Sequence, residues 1–263
     1  MKNFRRLFRF DPEKSLCVGV ERECFLLDAS GRIAPLAKQA LGLLSDPRFD
    51  YELSACQLEE RIGPCHVDSV EKLFLENDRI VSTALRGSGI QRSFLEVGLT
   101  DMPLDVYPDP SGRYAEIAGN MPREKLLAAC RVIGTHVHVG MPNHAMALKV
   151  YNSAIHHVDE LIQMGNGSFG ERLSIYRTVA PACDPQPYAS WESFHEAAVR
   201  EGFSEDPRRC WSLIRMSRHG TIEFRIFGST DCPERIGRWA KRCHEICREA
   251  ISPSPVCFEA HAW

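Results

Sequence analysis

The stretch GTHVHVG at residues 134–140 alternates two histidines with two valines. Successive side chains of a β-strand point to opposite faces of the sheet, so His136 and His138 share one face and the valines share the other. The valine face can pack on a core while the histidine face carries chemistry. Strands with one polar face favour an antiparallel sheet, because strands of parallel sheets are usually apolar on both faces.

Three further segments, at residues 17–27, 56–62 and 221–227, alternate in the same way. Each has an apolar face suited to packing against helices, and each carries charged or amide side chains on the opposite face. If the four strands are neighbours, their polar faces merge into one surface. That surface would carry, in addition to the histidines, Glu21, Glu23, Gln57, Glu59, Arg61, Glu223 and Arg225.

Helical patterns lie between and after these strands, and each begins with residues that can cap a helix. The first covers residues 70–85, with Asp68 or Ser69 as its N-cap and Gly87 as its end. The second covers about 143–164 and the third about 190–202, with Asn143 and Ser190 as their N-caps. The fourth covers about 231–250 and begins with a capping box of Asp231 and Glu234. The pattern predicts an α+β fold. Without repeats or low-complexity linkers, a single catalytic domain over residues 1–263 is expected.

The bulk composition excludes several classes of protein. The 263 residues are 44% hydrophobic and 25% charged, with a net charge of −3, and no broad basic stripe points to nucleic acid. No apolar run approaches the roughly 18 residues of a membrane span, and residues 1–10 lack the apolar core of a signal peptide. The eleven cysteines form no paired Cys-x-x-Cys sets. We therefore expect a cytoplasmic protein with no membrane or nucleic-acid partner.

The polar surface itself indicates a cation site. Four clustered glutamates cannot all ionise without compensating cations, and Mg²⁺ with bound phosphates is the natural compensation. Arg225 and Arg61 suit phosphate or carboxylate groups, because guanidinium binds both in a bidentate manner. A single Glu-x-Glu or His-x-His is usually structural, with roughly one chance in five of function. Four such strands together favour a site, whereas Arg22 and Glu60 are interpreted as solvated surface charges.

Taken in order, these motifs resemble the signatures of the glutamate–cysteine ligase type 2 and carboxylate–amine ligase family. The resemblance covers about residues 17–250. The segments that carry it are GVERE at 19–23, QLE at 57–59, PSGRY at 110–114, NMP at 120–122, GTHVHVG at 134–140, Trp211 followed by Ile214 and Arg215, and GTIEFR at 220–225.

The resemblance implies a glutamine-synthetase-like fold, in which a curved, mainly antiparallel sheet forms a funnel with helices packed on its outer face. It implies an ATP-dependent ligase with Mg²⁺ or Mn²⁺. ATP would phosphorylate an amino-acid carboxylate, typically the glutamate γ-carboxylate, and an amine such as an amino acid would attack the acyl phosphate. Both partners are small molecules, and homodimer formation is left open.

The resemblance also implies roles for individual residues. The metal ligands would be Glu21, Glu23, Glu59, Glu223 and His136. Arg225, Glu223 and His136 would be catalytic, and the nucleotide or a substrate carboxylate would be bound by Arg225, Arg215, Arg113 and His138. Two positions depart from the family: Gly228 replaces an aspartate, and residues 96–103 lack a glycine-rich stretch.

Two other functions remain open on the sequence. In the first, the protein is a metal-dependent hydrolase in which His136 and His138 hold zinc with a carboxylate. In the second, it is an inactive ligase-fold protein that only binds a ligand. No cysteine lies in an evident histidine-paired motif, so a cysteine nucleophile is not favoured.

Overall fold

The computed structural model describes residues 2–252, so the predicted domain boundary at residue 263 and Cys257 lie outside the described residues. Seven strands form one sheet in the order β2-β3-β1-β5-β7-β6, with β4 also paired to β1, and every pairing is antiparallel. The strands are β1 Val18–Leu27, β2 Phe49–Tyr51, β3 Gln57–Cys65, β4 Gln91–Ser93, β5 Gly134–Gly140, β6 Ile214–Ser217 and β7 Thr221–Gly228.

Helices precede, connect and follow the strands. They are α1 Lys2–Arg5, α2 Ala37–Leu44, α3 Val70–Ala84, α4 Arg113–Gly119, α5 Arg123–Cys130, α6 His144–Ala154, α7 Val158–Gly165, α8 Glu171–Val179, α9 Trp191–Arg200 and α10 Pro233–Ile251. No helix within residues 2–252 is both long enough and apolar enough to cross a membrane.

The main core lies on the valine face of the sheet, where α10 packs against α3 and α6. Val20, Val137 and Phe224 project from three neighbouring strands into this core and are fully buried. Phe227 stacks on Trp239 of α10, with ring centroids 4.8 Å apart. The observed α+β architecture thus confirms the fold class expected from the alternating strands.

Strand register brings the polar side chains together on the opposite face. Glu21 pairs with His136 across β1 and β5, and Glu23 pairs with Glu59 across β1 and β3. Glu223 of β7 pairs with His138 of β5. Because directly opposed residues have closely spaced Cβ atoms, this register builds a continuous polar surface over neighbouring strands.

The predicted helices form, with three corrections. The predicted cap of α3 is wrong, because Ser69 takes the cap position without a side-chain hydrogen bond and Asp68 lies inside the preceding 3₁₀ turn Val67–Ser69. The predicted 143–164 helix is interrupted by a 3₁₀ turn at Ile155–His157, which separates α6 from α7. The predicted capping box of Asp231 and Glu234 is wrong, because α10 begins at Pro233 and Cys232 takes the cap position without a side-chain hydrogen bond. Proline is favoured at the first helical position, where its missing N–H costs nothing.

The interpretation of Arg22 and Glu60 as solvated charges is also wrong. Arg22 is fully buried on the helix-packed face of the sheet, and Glu60 is 2% exposed. The Arg22 guanidinium donates to Glu60, to Asp78 at 2.6 Å and to the Thr230 carbonyl at 3.3 Å. Arg92 donates to the same two carboxylates. Each buried charge is therefore paired, as burial requires.

Candidate active site

A cavity of about 250 Å³ opens on the polar face of the sheet. Its wall contains all nine residues that the sequence analysis proposed for the site, namely Glu21, Glu23, Glu59, Arg113, His136, His138, Arg215, Glu223 and Arg225. The structure therefore brings these nine side chains together. Their individual chemical roles depend on the geometry within the cavity.

Glu21, His138 and Glu223 form one group that can hold a divalent cation, since one ligand atom from each lies within 4.8 Å of the others. His138 Nδ1 is 2.9 Å from Thr221 Oγ1, which fixes the ring. His138 Nε2 lies 3.5 Å from a Glu21 carboxylate oxygen, yet among the described residues this buried nitrogen has no hydrogen-bond partner. An oriented imidazole with a free nitrogen beside carboxylates suits metal ligation.

Electrostatics hold this group in its charged form. Burial opposes ionisation of Glu21, but the charge of His138 and a hydrogen bond with His136 keep the pKa of Glu21 well below its ordinary value. Burial likewise opposes protonation of His138, but Glu223 and Glu21 raise the pKa of its imidazole. The carboxylates of Glu21 and Glu223 therefore favour a positive charge at this position.

Glu23, Glu52 and Glu59 form a second group with the same 4.8 Å separation of ligand atoms. Burial raises the pKa of Glu23 to about 8, and the neighbouring Glu52 contributes to this rise. Burial also raises the pKa of Glu59 well above its ordinary value, with Glu21 and Glu52 adding to the effect. Three carboxylates that resist ionisation in one cluster are an oxygen-rich site suited to Mg²⁺ or Mn²⁺.

His136 lies between the two groups. Its Nδ1 is 3.3 Å from a Glu21 oxygen and its Nε2 is 3.7 Å from a Glu23 oxygen. Burial, together with the positive charge of Arg225, lowers the pKa of His136 to about 4, so the ring is neutral at physiological pH. Neither group found within residues 2–252 contains both histidines, which counts against a zinc hydrolase built on His136 and His138.

Glu223 is shared between its metal group and two arginines. Arg215 donates to both Glu223 oxygens, at 2.7 and 2.8 Å, and Arg225 Nη1 donates to one of them at 2.6 Å. Burial opposes ionisation of Glu223, but Arg215, His138 and Arg225 lower its pKa. Arg215 also donates to the Cys210 carbonyl at 2.6 Å. The geometry of Arg215 therefore favours a role in holding Glu223. A contact of Arg215 with the nucleotide stays a prediction.

Several residues of the cavity wall were missed by the sequence analysis. Glu52, Arg172, Tyr176 and Arg218 all line it. Glu52 follows the three-residue strand β2, which is too short to show alternation. Arg172 and Tyr176 lie on α8, whose polar composition gave no helical signal. Arg113, at the start of α4, lines the cavity with its guanidinium over the Tyr114 ring, and its ligand stays a prediction.

A second cavity of about 610 Å³ adjoins the first, and both are lined by Glu21, His138 and His219. Its volume falls within the roughly 300–1,000 Å³ typical of small-molecule sites. The segment before β1 contributes Arg9, Phe10 and Lys14 to its wall. The polar face of the sheet therefore opens into two adjacent spaces, with one carboxylate and two imidazoles at their junction.

Comparisons with known proteins agree with this arrangement, although no protein-family model matches the chain. A protein of Frankia casuarinae named "Putative glutamate–cysteine ligase 2-1" is 26% identical over 246 residues, covering 82% of this chain and 62% of the relative. The chain is related to the glutamate–cysteine ligase type 2 family. This confirms the resemblance expected from the motifs, while the chain spans only 62% of that relative's length.

Two solved structures share the fold of this chain. A bifunctional glutathione synthetase from Pasteurella multocida superposes with a TM-score of 0.59 at 14% identity, covering 90% of this chain and 39% of that one. Plasmodium falciparum glutamine synthetase gives a TM-score of 0.50 at 12% identity, covering 90% of this chain and 52% of the other. At these identities the likeness concerns the fold alone.

The two departures from the family meet in this structure. Gly228 lies directly against Glu96, because a Cβ built on Gly228 would come within 1.8 Å of the Glu96 carboxylate oxygen. Glu96 is 9% exposed and accepts hydrogen bonds from the backbone N–H groups of Gly167 at 2.7 Å and Ser168 at 3.0 Å. The Glu96 carboxylate thus occupies the space into which a side chain on residue 228 would project.

Proposed function

We propose that the protein is an ATP-dependent ligase that joins an amino-acid carboxylate to an amine. The observation that carries the proposal is the pair of carboxylate-rich cation groups that line the smaller cavity, with Arg225 beside them and with Glu21 and His138 also lining the larger cavity. Related proteins named as glutamate–cysteine ligases support the same class of reaction. The glutamate γ-carboxylate is the proposed acid, and an amino acid is the proposed amine.

The residues fit a divalent metal ion. Glu23, Glu52 and Glu59 would hold one through carboxylate oxygens, and Glu21, His138 and Glu223 would hold another. Such a metal, Mg²⁺ or Mn²⁺, neutralises phosphate oxygens and fixes their orientation when bound. We propose that the sheet forms the funnel of the glutamine-synthetase-like fold, with the nucleotide in the larger cavity and the acid substrate in the smaller one.

The remaining chemistry belongs to the side chains around the metals. Arg225 lines the smaller cavity beside Glu223 and His136, where its guanidinium can bind a phosphoryl group and neutralise charge that develops during transfer. Glu223, itself held by Arg215, accepts a charge-assisted hydrogen bond from that guanidinium and holds it in place. His136 is neutral, so it can accept or donate a hydrogen bond without adding charge. The substrate carboxylate would take the γ-phosphoryl group of ATP and release ADP. The amine would then attack the acyl phosphate and displace inorganic phosphate.

An ADP-release screen tests the proposal. The purified protein is incubated with ATP, Mg²⁺ and glutamate against a panel of amino acids and simple amines, with each acid or amine omitted in turn. We expect ADP release that needs both substrates and the metal. ADP release that is independent of any amine, or zinc-dependent hydrolysis without ATP, would contradict the proposal.

A further inference from the structure

A β-bulge lies in β7 directly at Arg225. Thr135 of β5 pairs with Phe227 and Val137 pairs with Phe224, so the ladder advances two residues on β5 while it advances three on β7. One extra residue must therefore fit into β7 between Phe224 and Phe227. A bulge of this kind interrupts the ladder and redirects side chains, and here it affects Arg225 and Ile226.

Arg172 occupies the gap that the bulge creates. Its guanidinium donates to the carbonyl of Ile226 at 2.9 Å, to that of Arg225 at 3.2 Å and to that of Ile133 at 2.8 Å. The residue is 4% exposed. Within residues 2–252 it forms no salt bridge with a carboxylate. Arg172 is thus a buried cation whose partners are backbone carbonyls, two of them from the bulge.

Neighbouring residues are arranged to place this guanidinium. A Cβ on Gly134 would come within 2.4 Å of Arg172 Nη2, so a glycine there allows the approach. The Arg172 backbone N–H donates to Ser168 Oγ at 3.1 Å. The Ser168 and Gly167 N–H groups in turn donate to Glu96. The start of α8, and with it Arg172, is therefore fixed to the loop that carries Glu96.

The backbone of Arg225 is held from both sides. Its N–H donates to the Leu213 carbonyl at 2.8 Å, while its own carbonyl accepts from Arg172. One turn further along α8, Tyr176 lies beside the Arg225 guanidinium and donates its hydroxyl proton to the Trp211 carbonyl at 2.8 Å. The direction of the Arg225 side chain therefore depends on α8.

We propose that Arg172 is a positioning residue that fixes the β7 bulge and thereby directs the Arg225 guanidinium at the reacting phosphoryl group. The inference rests on the proposed function of Arg225. A lysine at 172 would keep the charge but lose the planar fork that reaches three carbonyls at once. Displacing a catalytic group by about 1 Å can cost roughly a hundredfold in rate.

A double-mutant cycle tests the proposal through its dependence on Arg225. We expect Arg172→Lys to lower kcat for ADP release by roughly tenfold to a hundredfold with little change in the KM for ATP, because the Arg225 contact strengthens in the transition state. In an Arg225→Lys background, adding Arg172→Lys should lower kcat by less than about threefold, since residues that act through one another are not additive.

The controls separate this role from a loss of structure. Arg131→Lys is the matched variant, because Arg131 is half-buried nearby and its Nε donates to the Gly98 carbonyl at 2.9 Å without touching the bulge. It should leave kcat unchanged. If Arg172→Lys fails to fold, Glu96→Gln loosens the same helix start and should show the same non-additivity with Arg225→Lys.

Each outcome decides the proposal. Arg172 would only stabilise the fold if Arg172→Lys left kcat unchanged. The same would follow if the losses of kcat in Arg172→Lys and Arg225→Lys multiplied fully in the double variant. A silent Arg225→Lys variant in an otherwise active protein would overturn the inference together with the proposed role of Arg225. A protein with no ADP release under any substrate combination would instead contradict the proposed function itself.

Discussion

Replacing Arg22 by methionine removes the centre of a buried ion-pair network behind the active-site strands. The guanidinium binds Glu60 and Asp78 and lies between the rings of Phe74 and Phe94, 4.8 and 4.7 Å from their centroids. Methionine fills a similar volume, and its sulfur makes favourable contacts with aromatic rings. The main loss is therefore electrostatic: Glu60 stays buried with Arg92, at 3.3 Å, as its remaining cation.

The size of the effect follows from these contacts. Removing one partner of a buried ion pair costs about 3–5 kcal/mol. Because Arg92 still neutralises part of the Glu60 charge, we expect a value near the lower end, about 3 kcal/mol. For a chain of this size each kcal/mol lowers Tm by about 2–4 °C, so Tm should fall by roughly 6–12 °C. Urea unfolding with a two-state fit, checked by calorimetry, measures both quantities.

Two comparisons sharpen the test. Arg32→Met removes an arginine whose side chain is 82% exposed and 3.8 Å from Asp28, so it should cost less than about 0.5 kcal/mol. Adding Glu60→Leu to Arg22→Met should restore part of the lost stability, because the buried carboxylate is then also gone. If Arg22→Met lowered the free energy of unfolding by less than about 1 kcal/mol, the buried ion pairs of Arg22 would not stabilise these strands as argued.

Three further predictions concern the polar face. Arg225→Lys should lose most ADP release while melting close to the parent protein, because lysine lacks the bidentate fork; Arg238→Lys in α10 should change neither, and full activity of the first variant would remove Arg225 from the site. Glu223→Gln should lower turnover by roughly two orders of magnitude; near-normal turnover would make Glu223 a purely structural anchor. Burial raises the pKa of Glu23 from 4.5 to about 8, so without metal its contribution to stability falls as pH rises across that interval. The Tm increase on adding Mn²⁺ should therefore grow from pH 5 to pH 8, and a pH-independent increase would contradict this assignment.

Local patterns were sufficient to predict the strands that build the site. β1, β3, β5 and β7 each place apolar residues on one face and polar residues on the other, with interruptions at Arg22 in β1 and Glu60 in β3. The period of two fixes which side chains share a face. The sequence could not establish strand order. It was the motif resemblance that supplied the expectation that these polar faces lie side by side, and the register in the structure agrees with it.

The features that were missed depend on contacts between distant segments. Arg22 follows the alternation and lies on the apolar face, yet its charge suggested solvent. Only the convergence of Glu60 from β3 and Asp78 from α3 makes its burial tolerable. The bulge in β7 leaves one local sign, the consecutive apolar residues Ile226 and Phe227 that break the alternation. Its contact with Arg172 on α8 leaves none.

The central claim is that the carboxylate face binds a metal ion that in turn binds a nucleotide. Isothermal titration calorimetry of the purified protein with ATP, in Mg²⁺ and again in excess EDTA, tests it most directly. We expect clear binding in Mg²⁺ and binding at least tenfold weaker in EDTA, a difference of about 1.4 kcal/mol. Equal affinity in the two buffers, or no ATP binding in either, would contradict it.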